Sequence, residues 1–243
     1  MRFDFALSDR IDWDGIARRF ADHGRIEIPC LLADGQAEAL RAHLADRADW
    51  TLVMNAGAKV YEMTREAWAT LDAAQRAELD RRIIAAGRDG FQYRYEAIRT
   101  ADGGDATSPD PVARFVAFLS SPAVLDAIGG AMGMNGLAFA DGQATRYGEG
   151  DFLTCHDDDV DGKHRRAAYV FSLAPRWRAE WGGLLMFHGA DGNIGEAFVP
   201  QMGTLRLFAV PQPHSVSYVT PLAPEARLSI TGWLRATDAP AAT

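Results

Sequence analysis

The sequence predicts a mostly β protein with helical additions, and two observations carry that prediction. After residue 135, short runs rich in β-branched and aromatic residues alternate with turn residues, at the spacing of an all-β sandwich or barrel. Before residue 135, apolar residues recur at helical spacing, with glycine or proline at the helix boundaries. We therefore expect a single domain, 1–243, with a mainly helical support region (1–134), a β core (135–236) and a flexible tail (237–243).

Helices account for most of the elements predicted before residue 135. SDRIDWDGIARRFADHG stops at a glycine, and LADGQAEALRAHLADRADW offers Asp34 as an N-cap, with a short strand, RIEIPCLL, between them. TREAWATLDAAQRAELDRRIIAAGRDG is the strongest helical signal because it is rich in Ala, Leu, Glu and Arg. Two short helices follow, with Pro111 and Pro122 in their first turns. We expect NAGAKVYEM and RTADGGDATSPDP to be loops that can act as lids.

The β core is predicted from eight short segments that follow one another to the end of the chain. These segments are GLAFADGQATRY, DFLTCHD, RAAYVFSLA, GGLLMFHG, EAFVP, GTLRLFAV, HSVSYV and ARLSITGWLR. Turn residues separate them, as in antiparallel sheets joined by short connections. The tryptophans Trp177, Trp181 and Trp233 are expected to fill space in this core.

Composition narrows the classes of partner. A formal net charge of −8 argues against a general nucleic-acid or anionic-membrane binder, because both need a basic face. Two cysteines are too few for a disulfide framework, and the sequence shows no signal-peptide pattern and no apolar run of membrane-spanning length. We expect a protein of the reducing cytoplasm, and its charge is compatible with a small metabolite or a basic peptide as the partner.

The segment CHDDDVDGKH, residues 155–164, concentrates potential metal ligands and allows two interpretations. The first is an iron site that uses His156 and Asp158, which share one face if the strand continues through both residues. The second is a calcium loop that starts at Asp157. A calcium loop of the EF-hand type needs a glutamate at its twelfth position, where this chain has Ala168, and a helix after it, where the sequence predicts a strand. The iron interpretation is therefore favoured.

An iron site of the two-histidine, one-carboxylate type needs a third ligand from elsewhere in the chain. His214 opens a predicted strand and precedes Arg227 on the final strand by 13 residues. The other candidates lie on predicted surface helices, beside a charge run, or at a strand end; they are His23, His43, His164 and His188. Residue types and spacing alone leave this choice open.

The order of several motifs decides it. These motifs are, in order, CHDD, RRAAYVFSLAPRWRAEWGGLLMF, PQMGTLRLFAVPQPHSVSYV and RLSITGWLR. With them, over roughly residues 135–236, the chain resembles the Fe(II)- and 2-oxoglutarate-dependent dioxygenases, specifically their prolyl-hydroxylase-like branch. The resemblance implies a double-stranded β-helix (jelly-roll, cupin-like) core. It also implies that His156, Asp158 and His214 are the iron ligands and that Arg227 binds the distal carboxylate of 2-oxoglutarate.

Further cosubstrate contacts are implied less directly. Tyr147 stands where relatives place a tyrosine that helps bind 2-oxoglutarate, and Ser229 and Thr231 share strand parity with Arg227. Ser172 departs from the family, because many relatives have a tyrosine at that position. The hydrogen bonds around 2-oxoglutarate are therefore expected to differ from those of the relatives.

The resemblance implies cofactors and an activity. The cofactors are Fe(II), 2-oxoglutarate and O2, with ascorbate as an additional reductant, and the reaction is hydroxylation of a C–H bond with release of succinate and CO2. The implied substrate is a prolyl residue of a protein or peptide, such as a ribosomal protein or another translation component. A free amino acid or other small metabolite is the alternative substrate, and a non-catalytic metal-binding barrel is the alternative to an enzyme.

Overall fold

The computed structural model describes residues 3–237 of the 243-residue chain, so the predicted tail lies outside the described residues apart from Thr237. The helices in this part are α1 (Trp13–His23), α2 (Gln36–Ala45), α3 (Arg65–Thr70), α4 (Ala73–Asp89), α5 (Pro111–Leu119) and α6 (Pro122–Met132). The strands are β1 (Arg25–Ile28), β2 (Thr51–Ala56), β3 (Lys59–Thr64), β4 (Tyr93–Arg99), β5 (Phe139–Ala140), β6 (Gln143–Tyr147), β7 (Phe152–His156), β8 (Arg165–Ser172), β9 (Leu185–His188), β10 (Ile194–Phe198), β11 (Thr204–Ala209), β12 (His214–Val216) and β13 (Arg227–Arg235).

The strands pair antiparallel in the order β1-β11-β8-β13-β6-β4-β7-β12-β9-β10, with β2 and β3 added beside β4 and β5 beside β13. Strand β4 pairs with β6 through its second half and with β7 through Tyr93 and Arg94. Both halves of the sheet therefore meet at β4, where the sheet turns over on itself.

The two halves enclose an interior. Ala168 and Val170 of β8 and Phe208 of β11 pack against Leu185 and Phe187 of β9, although β9 lies far from β8 in strand order. Only a strongly curled sheet brings these strands face to face. This arrangement is the double-stranded β-helix expected from the sequence.

The outer face of the larger half is covered by helices. Because side chains alternate along a strand, Tyr169 and Phe171 of β8 point away from the interior and join the core beneath the helices. Phe171 stacks on Phe115 of α5 with ring centroids 4.7 Å apart. Burying such a ring stabilises the fold by roughly 1.5–3 kcal/mol, so this contact anchors the helical layer to the sheet.

Each of the eight predicted strand segments contains a strand, and GLAFADGQATRY contains two. The interruption between β5 and β6 falls at Asp141 and Gly142, where the Tyr169 hydroxyl donates to the Asp141 carbonyl at 3.0 Å. A Cβ atom at Gly142 would lie 2.4 Å from that hydroxyl oxygen. Close packing beneath the strand thus divides it, and only the three-dimensional structure reveals this.

The mainly helical character predicted for 1–134 is only partly correct, because β2, β3 and β4 also lie there. NAGAKVYEM is not a free loop: it forms the turn and much of the second strand of the β2–β3 hairpin. The hairpin adds to the sheet through β4, whose sequence alternates aromatic and polar residues from Tyr93 onward. This alternation is the strand signal that the helical interpretation overlooked.

Two helix boundaries also differ from the predictions. The strongest helical segment is divided into α3 and α4, because Asp72 starts a new helix with a capping box to Gln75. The N-cap of α2 is Gly35 in a left-handed conformation, while Asp34 forms an ion pair with Arg10. Pro111 and Pro122 do occupy first helical turns, as predicted.

Within residues 3–237, no single helix is both long enough and apolar enough to cross a membrane. Helices α5 and α6 meet the length and composition criteria only together, as a pair bent by 55°. In this fold Val112, Phe115 and Ile128 from these helices are buried in the core.

Asp151 is a buried carboxyl group in the turn between β6 and β7. It accepts a hydrogen bond from the Gly148 N–H at 2.8 Å, and its backbone carbonyl accepts one from Val219 at 3.0 Å. Burial raises the pKa of Asp151 to about 7, although Arg94 lies 3.5 Å away and opposes the shift. The turn that leads into β7 therefore contains a group that titrates near neutrality.

We predict that Asp151→Asn stabilises the protein more at pH 8 than at pH 4. The unfolded carboxyl ionises near pH 4 and the folded one near pH 7, so the wild type loses stability as the pH rises through this window. Asparagine does not ionise, and the expected gain at pH 8 is on the order of 1–4 kcal/mol. Urea unfolding at both pH values measures it, with the exposed Asp161→Asn as control; equal effects at the two pH values would contradict the assignment.

Candidate active site

Two neighbouring strands bring His156 and His214 face to face. His156 is the last residue of β7 and His214 the first of β12, and they are direct partners in the antiparallel register with ring centroids 4.2 Å apart. The carboxylate of Asp158 lies between them, with each oxygen 3.4 Å from the Nε2 atom of one imidazole. One ligand atom from each residue lies within 4.8 Å of the others, so the three could hold one metal ion.

Hydrogen bonds to the backbone orient both imidazoles. Nδ1–H of His156 donates to the Thr154 carbonyl at 3.0 Å, and Nδ1–H of His214 donates to the Gln212 carbonyl at 2.8 Å. A neutral imidazole with its proton on Nδ1 has a lone pair on Nε2, the atom that faces Asp158. The backbone thus favours the tautomer that a metal ion requires.

The protonation states also suit a cation. Burial, assisted by the neighbouring His156, lowers the pKa of His214 to about 4, so its ring is neutral at physiological pH. Burial by itself would raise the pKa of Asp158, but the contacts with His156 and His214 outweigh burial and lower it. Two imidazoles and one carboxylate form a donor set that suits Fe(II).

Asp158 reaches the site by a route that differs from the prediction. Strand alternation predicted that His156 and Asp158 share a face, but β7 ends at His156 and Asp158 has a φ of 67°. A left-handed conformation costs a non-glycine residue roughly 1–2 kcal/mol, so surrounding contacts must hold it. Cys155, the residue before His156, is exposed.

Arg165 and Trp233 supply these contacts. Nη1 of Arg165 donates to the backbone carbonyl of Asp158 at 3.1 Å and lies 3.9 Å from its Oδ1. The guanidinium carbon is 3.5 Å from the centroid of the Trp233 ring, and the backbone N–H of Trp233 donates to the Asp141 carboxylate at 2.8 Å. Trp233 is thus more than the packing residue that was predicted: it is the surface on which Arg165 rests.

A cavity of about 790 Å³ is lined by the three potential metal ligands, His156, Asp158 and His214, and extends to Arg227 on β13. Arg227 is only 2% exposed, and within residues 3–237 its Nε and Nη1 have no hydrogen-bond partner. Burial lowers the pKa of Arg227 to about 10, which leaves the guanidinium charged at neutral pH. A buried cation with unused donors is costly unless an anion binds it, so this end of the cavity fits a carboxylate.

The structure separates the remaining predicted cosubstrate residues into two groups. Tyr147 and Thr231 line the cavity, and the Tyr147 ring centroid is 5.3 Å from the guanidinium carbon of Arg227. Ser229 does not line it, because its hydroxyl is fully buried against Thr145 at 2.8 Å. Strand parity placed Ser229 on the correct face, but its cross-strand neighbour Thr145 takes the position on the cavity wall.

Ser172, the departure from the family pattern, lies opposite Ser229 in the register of β8 and β13. Its side chain is fully buried, and its hydroxyl has no hydrogen-bond partner among the described residues. It is not among the residues that line the cavity. The expected change in the hydrogen bonds around 2-oxoglutarate therefore does not arise from direct contact with Ser172.

Reasoning from sequence missed the wall that β4 contributes. Tyr95 lines the cavity and stacks on Tyr147 with centroids 5.1 Å apart, and its hydroxyl accepts a hydrogen bond from Gln143 at 3.3 Å. Tyr93 and Phe91 continue the same wall. The alternating sequence FQYRYEA carried the signal for these residues, but it lay in the region interpreted as helical.

The other potential ligands of the sequence lie elsewhere. His188 is hydrogen-bonded to Ser215 at 2.7 Å. In the part of the chain that the structure describes, the cluster of His156, Asp158 and His214 is the one group of three residues with metal-ligand spacing. The acidic residues of the rejected calcium loop do not form a second such group.

Comparison with known proteins agrees with this geometry. Residues 142–235 match the sequence model of the 2OG-Fe(II) oxygenase superfamily. This segment is therefore similar to members of that superfamily. It contains the three potential metal ligands and Arg227, and its similarity to the superfamily implies Fe(II), 2-oxoglutarate and O2 as cofactors.

Two curated relatives are similar to part of the chain. The prolyl 3-hydroxylase OGFOD1 of Xenopus laevis is 37% identical over 95 residues, which are 36% of this chain and 18% of that protein. The protein of the same name from Mus musculus is 34% identical over 100 residues, 38% of this chain and 18% of that one. The match thus spans less than a fifth of the length of these relatives.

Solved structures share the fold over nearly the whole chain. A Pseudomonas putida prolyl-4-hydroxylase superposes with a TM-score of 0.59 at 21% identity, covering 93% of this chain and 100% of that one. A Trichoplax adhaerens prolyl hydroxylase, in complex with a peptide of the hypoxia inducible factor oxygen degradation domain, gives 0.61 at 15% identity, covering 92% and 89%. These structures confirm the predicted double-stranded β-helix.

We predict that Arg165→Met weakens metal binding by the apoprotein about 10-fold or more, because Asp158 loses the contacts that hold its left-handed conformation. Arg165→Lys should weaken it less, since lysine retains one donor. Titration of the apoprotein with Fe(II) under anaerobic conditions, or with Mn(II), measures the affinity. Arg178→Met, at an exposed ion pair outside the cavity, is the control. Unchanged affinity in Arg165→Met would show that Asp158 is held by other contacts.

Proposed function

We propose that this chain is an Fe(II)- and 2-oxoglutarate-dependent dioxygenase that hydroxylates a prolyl residue of a protein or peptide. The observation that carries the proposal is one cavity with two complementary ends. One end has His156, Asp158 and His214 at metal-ligand distances, and the other has the buried and unpaired guanidinium of Arg227. A cation site and a carboxylate site in one cavity match the two binding needs of this chemistry.

In this proposal His156, Asp158 and His214 hold the iron on one face and leave its other positions open. Bound iron supplies oxidation by O2: one oxygen atom enters a substrate C–H bond as hydroxyl, and the other enters succinate as 2-oxoglutarate loses CO2. The chain itself orients the ligands through the Nδ1 hydrogen bonds, which direct both Nε2 atoms toward Asp158.

Arg227 is proposed to bind the distal carboxylate of 2-oxoglutarate. Its unused Nε and Nη1 donors could form two parallel charge-assisted hydrogen bonds, which fix the orientation of the diacid as well as its affinity. Tyr147 stands beside it, and burial raises the pKa of that phenol well above its ordinary value, so it remains a neutral donor. The hydroxyl of Thr231 is a further candidate contact on the same wall.

A prolyl substrate is supported by the relatives and by the size of the cavity. The curated relatives are named prolyl 3-hydroxylases, and one structural neighbour holds a peptide. The cavity volume, about 790 Å³, leaves room for substrate beside the cosubstrate, since ligand pockets typically span roughly 300–1,000 Å³. We propose a ribosomal protein or another translation component as the protein, on the resemblance of residues 165–187 to hydroxylases of that kind.

The first test is turnover of 2-oxoglutarate. Purified protein with Fe(II), ascorbate and O2 should form succinate slowly without substrate, and His156→Ala should abolish this activity. Addition of prolyl peptides should accelerate it, with a mass gain of one oxygen on the peptide. Wild type that neither binds iron nor forms succinate would contradict the dioxygenase assignment, and oxidation of a free amino acid alone would contradict the peptide assignment.

We predict that Arg227→Met raises the KM for 2-oxoglutarate about 10- to 100-fold, because charge-assisted hydrogen bonds of this kind contribute about 1.5–3 kcal/mol. Arg227→Lys should give an intermediate value, since it keeps the charge without the planar fork. Initial rates of succinate formation against 2-oxoglutarate concentration give the KM. Metal affinity of the apoprotein, measured in parallel, should stay within about twofold; a KM that does not change would exclude Arg227 as the carboxylate partner.

A further inference from the structure

The mouth of the cavity is unusually apolar for an exposed surface. Eight large hydrophobic side chains are exposed within residues 3–237, and three of them line this cavity: Val60 at 50%, Phe91 at 48% and Val160 at 47%. They come from the β2–β3 hairpin, from the segment before β4 and from the loop after β7. Exposed apolar residues gathered at one opening are typical of a binding surface.

Phe91 connects this opening directly to the metal cluster. Its ring centroid is 5.3 Å from that of His156 and 5.5 Å from that of Tyr93. The Tyr93 ring is in turn 5.6 Å from Tyr95, which stacks on Tyr147 beside Arg227. A row of aromatic rings therefore runs from solvent to the interior of the cavity.

The charge at the mouth is unbalanced. Asp157 and Asp159, on either side of Asp158, line the cavity and are exposed, and no cation within the described residues pairs with either carboxylate. The other two acidic residues on the wall differ, because Asp102 and Asp141 both pair with Arg235, at 2.9 and 3.4 Å. Two uncompensated carboxylates next to the metal ligand favour a substrate with a basic group.

The described lining of the cavity has no free cationic side chain to bind the α-carboxylate of a free amino acid. Among the described residues, this lining includes three arginines and no lysine. Arg227 faces the proposed cosubstrate site, Arg165 is bound to Asp158, and Arg99 pairs with Glu62 at 2.7 Å. No cation therefore remains for the α-carboxylate of a free amino acid, whereas a residue within a peptide has no such charge to neutralise.

The geometry points to a protein segment as the substrate, in which a basic residue lies within a few positions of the oxidised residue. The basic side chain pairs with Asp157 and Asp159, while an apolar part of the segment packs on Phe91, Val60 and Val160. This inference rests on the proposed dioxygenase activity and adds to it the charge and polarity of the sequence around the target.

A synthetic peptide library tests the inferred preference for a basic residue near the target. Its peptides have the form X-X-X-Pro-X-X-X, with lysine, glutamate or serine in the flanking positions. Wild-type protein with Fe(II), 2-oxoglutarate and O2 should oxidise lysine-flanked peptides at least 10-fold faster than glutamate-flanked ones, as read by the mass gain of one oxygen. Equal rates, a preference for glutamate, or oxidation of free proline with no peptide oxidised would overturn the inference. So would peptide-independent succinate formation with no peptide oxidised.

Charge reversal gives the second arm. Asp157→Lys with Asp159→Lys should shift the preference toward glutamate-flanked peptides, whereas Asp161→Lys, in the same loop but outside the cavity wall, should leave it unchanged. Asp159→Lys alone serves if the double variant does not fold, and should reduce the lysine preference at least threefold. A preference that is the same in these variants and in wild type would overturn the role of the two carboxylates.

Phe91→Ala gives the third arm. It should raise the KM for the preferred peptide at least fivefold, while Ile194→Ala, which is equally exposed but lies on β10 outside the cavity, should not. An unchanged KM in Phe91→Ala would exclude the apolar contact. Succinate formation without peptide distinguishes failure of the proposed activity from failure of the inferred substrate preference. If wild type forms no succinate, the dioxygenase assignment is contradicted. If it forms succinate but shows no flank preference, only the inferred preference for a basic segment is contradicted.

Discussion

The antiparallel pairing of β7 with β12 is the interaction on which the site depends. It places His156 opposite His214, and the backbone carbonyls of Thr154 and Gln212 then fix the direction of both rings. Because a shift of one residue in this register would move one imidazole to the other face of its strand, the pairing must be specified strongly. The apolar interior does this, since Leu185 and Phe187 of the next strand pack only when their side of the sheet faces inward.

Buried charge is the second constraint. Asp158 and Arg227 are both nearly inaccessible, at 8% and 2%, and each would be unfavourable alone in an apolar interior. Asp158 lies between two imidazoles and beside Arg165. Among the described residues, Arg227 has no comparable partner for its Nε and Nη1 atoms. This difference is the reason we propose that Arg227 binds the distal carboxylate of 2-oxoglutarate.

The prediction from sequence succeeded where local pattern and motif order agree. Alternation and turn residues located strands β5 to β13 in eight predicted segments. The structure groups His214, which the ordered motifs selected, with His156 and Asp158. The prediction failed in two places. Strand alternation was carried past the end of β7 to Asp158, which a left-handed turn places instead. No strand was predicted for residues 91–98, within a region expected to be mainly helical, although Phe91, Tyr93 and Tyr95 alternate as in a strand.

By itself the sequence determined the residue types, their order and the elements that carry them, because periodicity and turn chemistry are local properties. Only the tertiary structure decided which side chains meet. It moved Ser229 behind Thr145, placed Arg165 on the Trp233 ring, and brought Phe91, which precedes β4, against His156 at the end of the neighbouring strand β7. Such contacts follow from register and sheet curvature, which depend on the packing of the whole interior and on no single segment. The segment CHDDDVDGKH illustrates this difference. Its composition indicated a metal site, whereas the tertiary structure places Asp158 with His156 and His214 and places Asp157 and Asp159 at the mouth of the cavity.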